Sequence, residues 1–190
     1  VSKNVPPQMV SVSVKTVDNR GIMFPTVPTG KKTSDGLDLG NDITADPAIR
    51  KAINIAISRK QLVTGVLGGH PAWGVADELP WDNLEQRVPN DNIEGAKKLL
   101  QQAGWKINAS GVLEKNGKEA RIPLLYFSND STRQALALAV ADMVKPLGIV
   151  FEVSGKTREE VKRLKHASAV LYGWGNHSPL EMYNLYSGSK

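Results

Sequence analysis

Cysteine is absent from the 190 residues, which excludes disulfides, thiolate zinc sites and cysteine nucleophiles and leaves the redox compartment open. No apolar run reaches 18 residues, so the sequence contains no membrane-spanning helix. There is no G-x-S-x-G elbow, phosphate loop or glycine-rich dinucleotide turn. Basic blocks interleaved with aromatics are also missing. The net charge of +5 is spread over Lys31-Lys32, Arg59-Lys60, Lys97-Lys98 and Arg158 to Lys165, with acids between, which disfavours nucleic acid as a partner. No initiator Met and no charged-then-apolar leader precede Val1 to Pro7, and Ser187 to Lys190 has the same character. Both ends read as cut points in a longer polypeptide. What remains, 41% hydrophobic over 20.6 kDa, is enough for one domain with a real core.

Periodicity divides the chain. Val10 to Val17 alternates apolar and polar as a half-buried strand does, and Ile22 to Val27 is a second extended segment that Pro25 assigns to an edge. Thr29 to Asn41 reads as a loop. Asp46-Pro47 opens a helix with Ile49, Ala52, Ile53, Ala56 and Ile57 as its buried stripe. Ser58 to Gln61 predicts a capping box and a short helix closed by Gly68-Gly69. His70 to Val88 has no period and reads as a long surface loop. Asp91 and Glu94 predict another box, with Ile93, Ala96, Leu99, Leu100 and Ala103 at helical spacing up to Gly104. Asn116-Gly117 between Val112–Lys115 and Lys118–Arg121 is a strong hairpin signal.

The last third is the most regular. Strands at Ile122–Phe127, Ile149–Val153 and Ala167–Tyr172 alternate with two helices. The first is capped by Asp130 or Ser131, with Ala135, Leu138, Ala139, Met143 and Leu147 on one face. The second opens on a Thr157–Glu160 capping box. Right-handed crossovers make this βαβαβ unit a parallel sheet.

Ligands of open parallel sheets bind beyond the carboxyl ends of the strands. That rule selects Ser128-Asn129-Asp130, Ser154-Gly155-Lys156 and Gly173-Trp174-Gly175-Asn176-His177. A tryptophan between glycines packs poorly in a core but serves as a flat exposed contact, so the third segment leads. The alternative is that Trp174 only covers the sheet edge. His70, His166 and His177 lie far apart with no metal-ligand spacing. No protein-built metal site is expected, and His177 alone stands where it could touch a ligand; His166, after a short helix, complements its dipole. Glu159-Glu160 reads as a solvated helix face. Nothing in the sequence looks catalytic, and no cofactor is implied.

The order of segments resembles a known family. Asp46-Pro-Ala-Ile-Arg-Lys-Ala-Ile-Asn-Ile-Ala-Ile-Ser-Arg-Lys-Gln-Leu-Val63 is similar to the "D-x-x-V-R-x-A-I-x-x-A-I-D-R-x-x-L-V" segment of the family 5 extracellular solute-binding proteins, which serve ABC importers of oligopeptides, dipeptides and nickel. Gly65 to Gly69, Pro71-Ala72, Asn92 to Trp105 (similar to "D-x-x-K-A-K-x-L-L-x-E-A-G-W"), Gly111 to Lys118 and the helix ending Leu147-Gly-Ile149 follow in the family's order.

The resemblance implies an α/β lobe of a periplasmic-binding-protein type II fold: a mixed sheet with a C-terminal parallel βαβαβ unit flanked by helices. Residues 1–190 would be a single domain, the inserted second lobe of a longer two-lobed chain. The expected role is ligand binding without chemistry. The partners would be the missing first lobe and an ABC transporter permease in the membrane, and the protein would be a monomer, periplasmic or extracellular and membrane-anchored. Trp174 matches the tryptophan that lines the family's cleft. The acid that follows it in peptide-binding members does not appear: Asn176, His177 and Ser178 stand there instead. A buried ammonium without a carboxylate partner is costly. Either the other lobe supplies that acid, or the ligand is a metal chelate or other solute. The candidate ligand contacts are therefore Trp174, Gly175, Asn176, His177, Asn129 and Asp130. A sensory domain of a transcription regulator with the same fold is the second reading; a small hydrolase, lacking a nucleophile–base pair, is the third.

Overall fold

The computed structural model describes residues 6–10, 12, 18–68, 89–173, 175, 178, 180 and 183. Most of the strand expected at Val10 to Val17 and nearly all of the loop expected at His70 to Val88 lie outside these residues.

Strand β1 (Gly21–Met23) is followed by a short hairpin, β2 (Lys31–Lys32) and β3 (Asp38–Leu39), inside the stretch expected to be a plain loop. Lys32 closes that hairpin by an ion pair with Asp38 at 2.7 Å, a local interaction that carries no hydrophobic period. Helix α1 (Pro47–Ala56) forms as expected. The Asp46 side chain accepts from the Ala48 N–H at 2.9 Å, Pro47 takes the first turn, and Ile49, Ala52, Ile53 and Ala56 are buried. A single turn, α2 (Arg59–Gln61), continues as a π-helical turn over Leu62–Val66. Ser58 accepts from the Gln61 N–H at a long 3.5 Å, so only half of the expected box forms among the described residues.

Helix α3 (Ile93–Gln102) packs on α1. Its cap is Asn92, not Asp91: Asp91 adopts φ 59°, and Asn92 Oδ1 accepts from the Gly95 N–H at 2.8 Å. Glu94 turns away from the cap to pair with Lys97. A meander follows: β4 (Lys106–Ile107), which the sequence did not announce, then β5 (Leu113–Lys115) and β6 (Lys118–Glu119). Asn116 and Gly117 join the last two strands with φ of 51° and 74°, the pair of positive values a tight hairpin turn needs.

The βαβαβ unit consists of β7 (Arg121–Phe127), α4 (Ser131–Val144), β8 (Val150–Lys156), α5 (Arg158–Leu164) and β9 (Ala169–Tyr172). The main sheet runs β1-β9-β7-β8. Strand β7 is parallel to β8 and β9, while β1 is antiparallel on the edge that Pro25 predicts. The sheet is mixed, as expected. Side chains alternate along β7: Ile122 and Leu124 join the large core with α1, α3 and α4, while Leu125 joins Val161 of α5 and Val170 on the other face.

Two expectations fail here. The stripe Ala135, Leu138, Ala139, Met143 is not the buried face of α4: Leu138 is 49% exposed, and Leu136, Ala137, Val140, Ala141 and Val144 are buried. This helix is apolar on most sides, so its own sequence offers two stripes and the sheet chooses between them. Strand β8 also runs on to Lys156, so Ser154-Gly155-Lys156 is the end of a strand rather than a loop.

Carboxylates tie the periphery together. Hydrogen bonds from Lys118 and from the Thr29 N–H and hydroxyl hold the Asp42 carboxyl down to about 2. Asp46 is lowered too: burial alone would raise it, but hydrogen bonds from Lys115, the Ala48 N–H and Trp105 outweigh that. A carboxyl whose folded value is depressed contributes stability fully above its unfolded value and loses it as pH falls through the folded one. The melting temperature is therefore expected to fall as pH drops from about 4 toward 2, and Asp42→Asn should flatten part of that slope. A slope unchanged in Asp42→Asn would exclude Asp42 as a contributor.

Candidate functional site

The carboxyl ends of β7, β8 and β9 form one crest, joined by the residues preceding β1, because Gly21 pairs with Tyr172. Of the expected contacts, Asn129 and Asp130 lie on the loop after β7 and Gly175 after β9, so the fold brings these segments to the same edge of the sheet. Trp174, Asn176 and His177 lie outside the described residues.

The β7–α4 loop is fixed by its backbone: the Ser128 N–H donates to the Lys156 carbonyl at 3.0 Å and the Asp130 N–H to the Phe127 carbonyl at 2.9 Å. Asn129 is exposed and makes no hydrogen bond to a described residue. Asp130 is committed. It caps α4 by accepting from the Arg133 N–H at 2.8 Å, and its other oxygen takes the Arg133 guanidinium. That backbone N–H, with the arginine charge, holds the Asp130 carboxyl below the usual range, so it is ionised near neutral pH.

Periodicity did not reveal the aromatic and cationic groups gathered here. The rings of Phe127 and Tyr172 meet at 5.9 Å with a 57° tilt. The Arg133 and Arg158 guanidinium groups lie 5.4 and 5.8 Å from the Phe127 centroid. Arg133 Nε is buried without a hydrogen-bond partner. Arg20 pairs with Asp18 at 2.9 Å and lies against Gly173, where an added Cβ would sit 2.7 Å from its Nη1. The clue in the sequence is that Phe127, Lys156 and Tyr172 each end a strand, which places their neighbours on the crest. Among the described residues no group of three or more His, Asp or Glu could hold a metal ion. His166 is half-buried past the end of α5, and its carbonyl accepts from the Gly40 N–H at 2.8 Å.

A mixed α/β sheet whose parallel strands direct a polar, aromatic and charged crest to one edge is the architecture of a ligand-binding lobe. The chain belongs to the bacterial extracellular solute-binding proteins of family 5: the family model "Bacterial extracellular solute-binding proteins, family 5 Middle" matches residues 5–190. That is a family of binding proteins rather than enzymes. The chain is 34% identical over 143 residues to Protein XP55 of Streptomyces lividans, covering 74% of this chain and 26% of that one. It is 26% identical over 164 residues to the oligopeptide-binding protein AppA of Bacillus subtilis (strain 168), covering 79% and 30%. Its fold superposes on NikZ from Campylobacter jejuni, solved in complex with Ni(L-His), with a TM-score of 0.69 and 27% identity, covering 87% of this chain and 31% of that one. The chain thus spans less than a third of each of these relatives.

Proposed function

We propose that residues 1–190 form the second lobe of a two-lobed solute-binding protein that delivers an oligopeptide, a dipeptide or a nickel or other metal chelate to an ABC transporter permease. The observation that carries this reading is the convergence of Asn129, Asp130 and Gly175 on one crest of a family 5 domain. In this reading Trp174 stacks on the ligand, and Gly175 lets the chain approach it. Asn129, Asn176 and His177 orient its polar groups. Asp130, already bound to Arg133, holds the loop and that arginine in place. Closure of the first lobe over the crest traps the solute, and the closed form engages the permease. The protein works outside the cytoplasm, in the periplasm or anchored to the outer face of the membrane, as a monomer.

Native mass spectrometry of the full-length protein, purified without refolding, tests the assignment. A ladder of short peptides released from it places it with peptide importers and implies that the first lobe supplies the acid missing after Trp174. A single metal or chelate mass places it with metal importers and makes His177→Ala the next variant. With half the cleft removed, residues 1–190 alone are expected to bind the released solute weakly or not at all. Micromolar affinity of the isolated lobe would overturn the shared-cleft reading.

A further inference from the structure

Arg158 sits where local electrostatics oppose it. It is the first residue of α5, so its guanidinium lies at the positive end of that helix, where an acid is the favoured neighbour. No carboxylate among the described residues pairs with it, since Glu159 turns to Lys162 and Glu160 closes the capping box with Thr157. It also shares the Phe127 ring with a second cation, Arg133, which has Asp130 to itself. Lys156 brings a third cation to this edge, 4.0 Å from Glu160. Two guanidinium groups drawn to one ring repel each other, and a neutral polar residue at position 158 would relieve both conflicts. Unrelieved local conflicts concentrate at functional sites.

We propose that Arg158, steadied on the face of Phe127, receives a carboxylate of the bound solute, so that the ligand presents negative charge to the β7–β8 end of the crest. The aromatic floor orients the guanidinium and leaves its N–H groups to a planar anion, the geometry arginine recognises best. The anion supplies the charge that the lobe itself withholds. This inference rests on the transport reading above. The carboxylate could belong to a peptide C-terminus or to the organic part of a chelate.

Isothermal titration of the full-length protein with trialanine, trialanine amide and nickel with L-histidine separates these sources. The variants are Arg158→Gln, Arg158→Lys and, as a charge-matched control, Lys162→Gln. For whichever carboxylate probe the parent binds, Arg158→Gln is expected to weaken binding about tenfold or more, the loss of one charge-assisted hydrogen bond. Arg158→Lys should fall between, and Lys162→Gln should leave binding unchanged. If trialanine is the probe, its amide should bind the parent and Arg158→Gln alike. The melting temperature of Arg158→Gln should equal or exceed the parent's, because a cation leaves a helix N-terminus. Binding by Arg158→Gln within twofold of the parent overturns the inference alone. Weaker binding accompanied by a lower melting temperature assigns Arg158 a structural role and overturns it as well. A parent that binds none of the three probes overturns both this inference and the transport reading on which it rests.

Discussion

Gly40→Ala is expected to cost about 3 kcal/mol or more of folding stability, a loss in the range of severe single substitutions. Gly40 has φ +95°, and an added Cβ would stand 2.1 Å from the Pro28 carbonyl oxygen and 2.7 Å from that of Val27. These are backbone atoms, so no side-chain rotation can relieve the clash. If Val27 and Pro28 retreat, the bond from the Asn41 N–H to the Val27 carbonyl is lost; if Gly40 retreats, its bond to the His166 carbonyl is lost. Either movement loosens the junction between the β3 end and the turn before β9, where the Asn41 amide also donates to the Ala167 carbonyl. Gly36 is the control. It has φ +80° with nothing within 4 Å of an added Cβ, so Gly36→Ala should cost only the left-handed strain, about 1–2 kcal/mol. Urea denaturation of both variants measures the difference, and equal losses would refute the close-approach explanation.

Asp46→Ala is expected to be nearly as damaging, at about 3 kcal/mol. One carboxylate serves three partners: the Ala48 N–H at 2.9 Å, the Trp105 indole N–H at 3.0 Å and the Lys115 ammonium at 2.9 Å. Removing it uncaps α1 and leaves the indole N–H of the buried Trp105 without an acceptor. Lys115, 5.8 Å from the Trp105 ring centroid, loses its counter-ion as well. Asp46→Asn retains an oxygen for the cap or the indole and gives up mainly the ion pair, so it should cost about 1 kcal/mol. Thermal unfolding of the two variants distinguishes the roles. Similar losses from Ala and Asn would mean that charge, and not hydrogen bonding, holds the junction of α1, α3 and the meander.

Much of this fold was legible in the sequence because its cues are local. A cap needs a short polar side chain next to the first turn, which is why Asp46, Asp130 and Thr157 could be assigned from their neighbours. The Asn116-Gly117 turn needs two residues that tolerate positive φ, and the order of strands and helices from Arg121 to Tyr172 leaves a parallel unit as the simplest arrangement. At Asp91 and Asn92 local chemistry allowed either cap, and the path of the chain from α1 decided it: the Asp91 and Asn92 N–H groups donate to the Ile57 and Ile55 carbonyls.

The sequence by itself determined the α/β pattern, the helix caps, the hairpin and the edge of the sheet where the β7 and β9 segments meet, because each depends on residues within a few positions of one another. Tertiary structure alone decided which stripe of α4 is buried, since Leu136 and Leu138 are equally apolar and only packing against the sheet tells them apart. It also decided the charge of the crest. Phe127, Arg133, Arg158 and Tyr172 are separated by up to 45 positions and meet only because β7 lies in parallel register between β8 and β9. Side chains that far apart interact through strand pairing, which no short-range pattern in the sequence records.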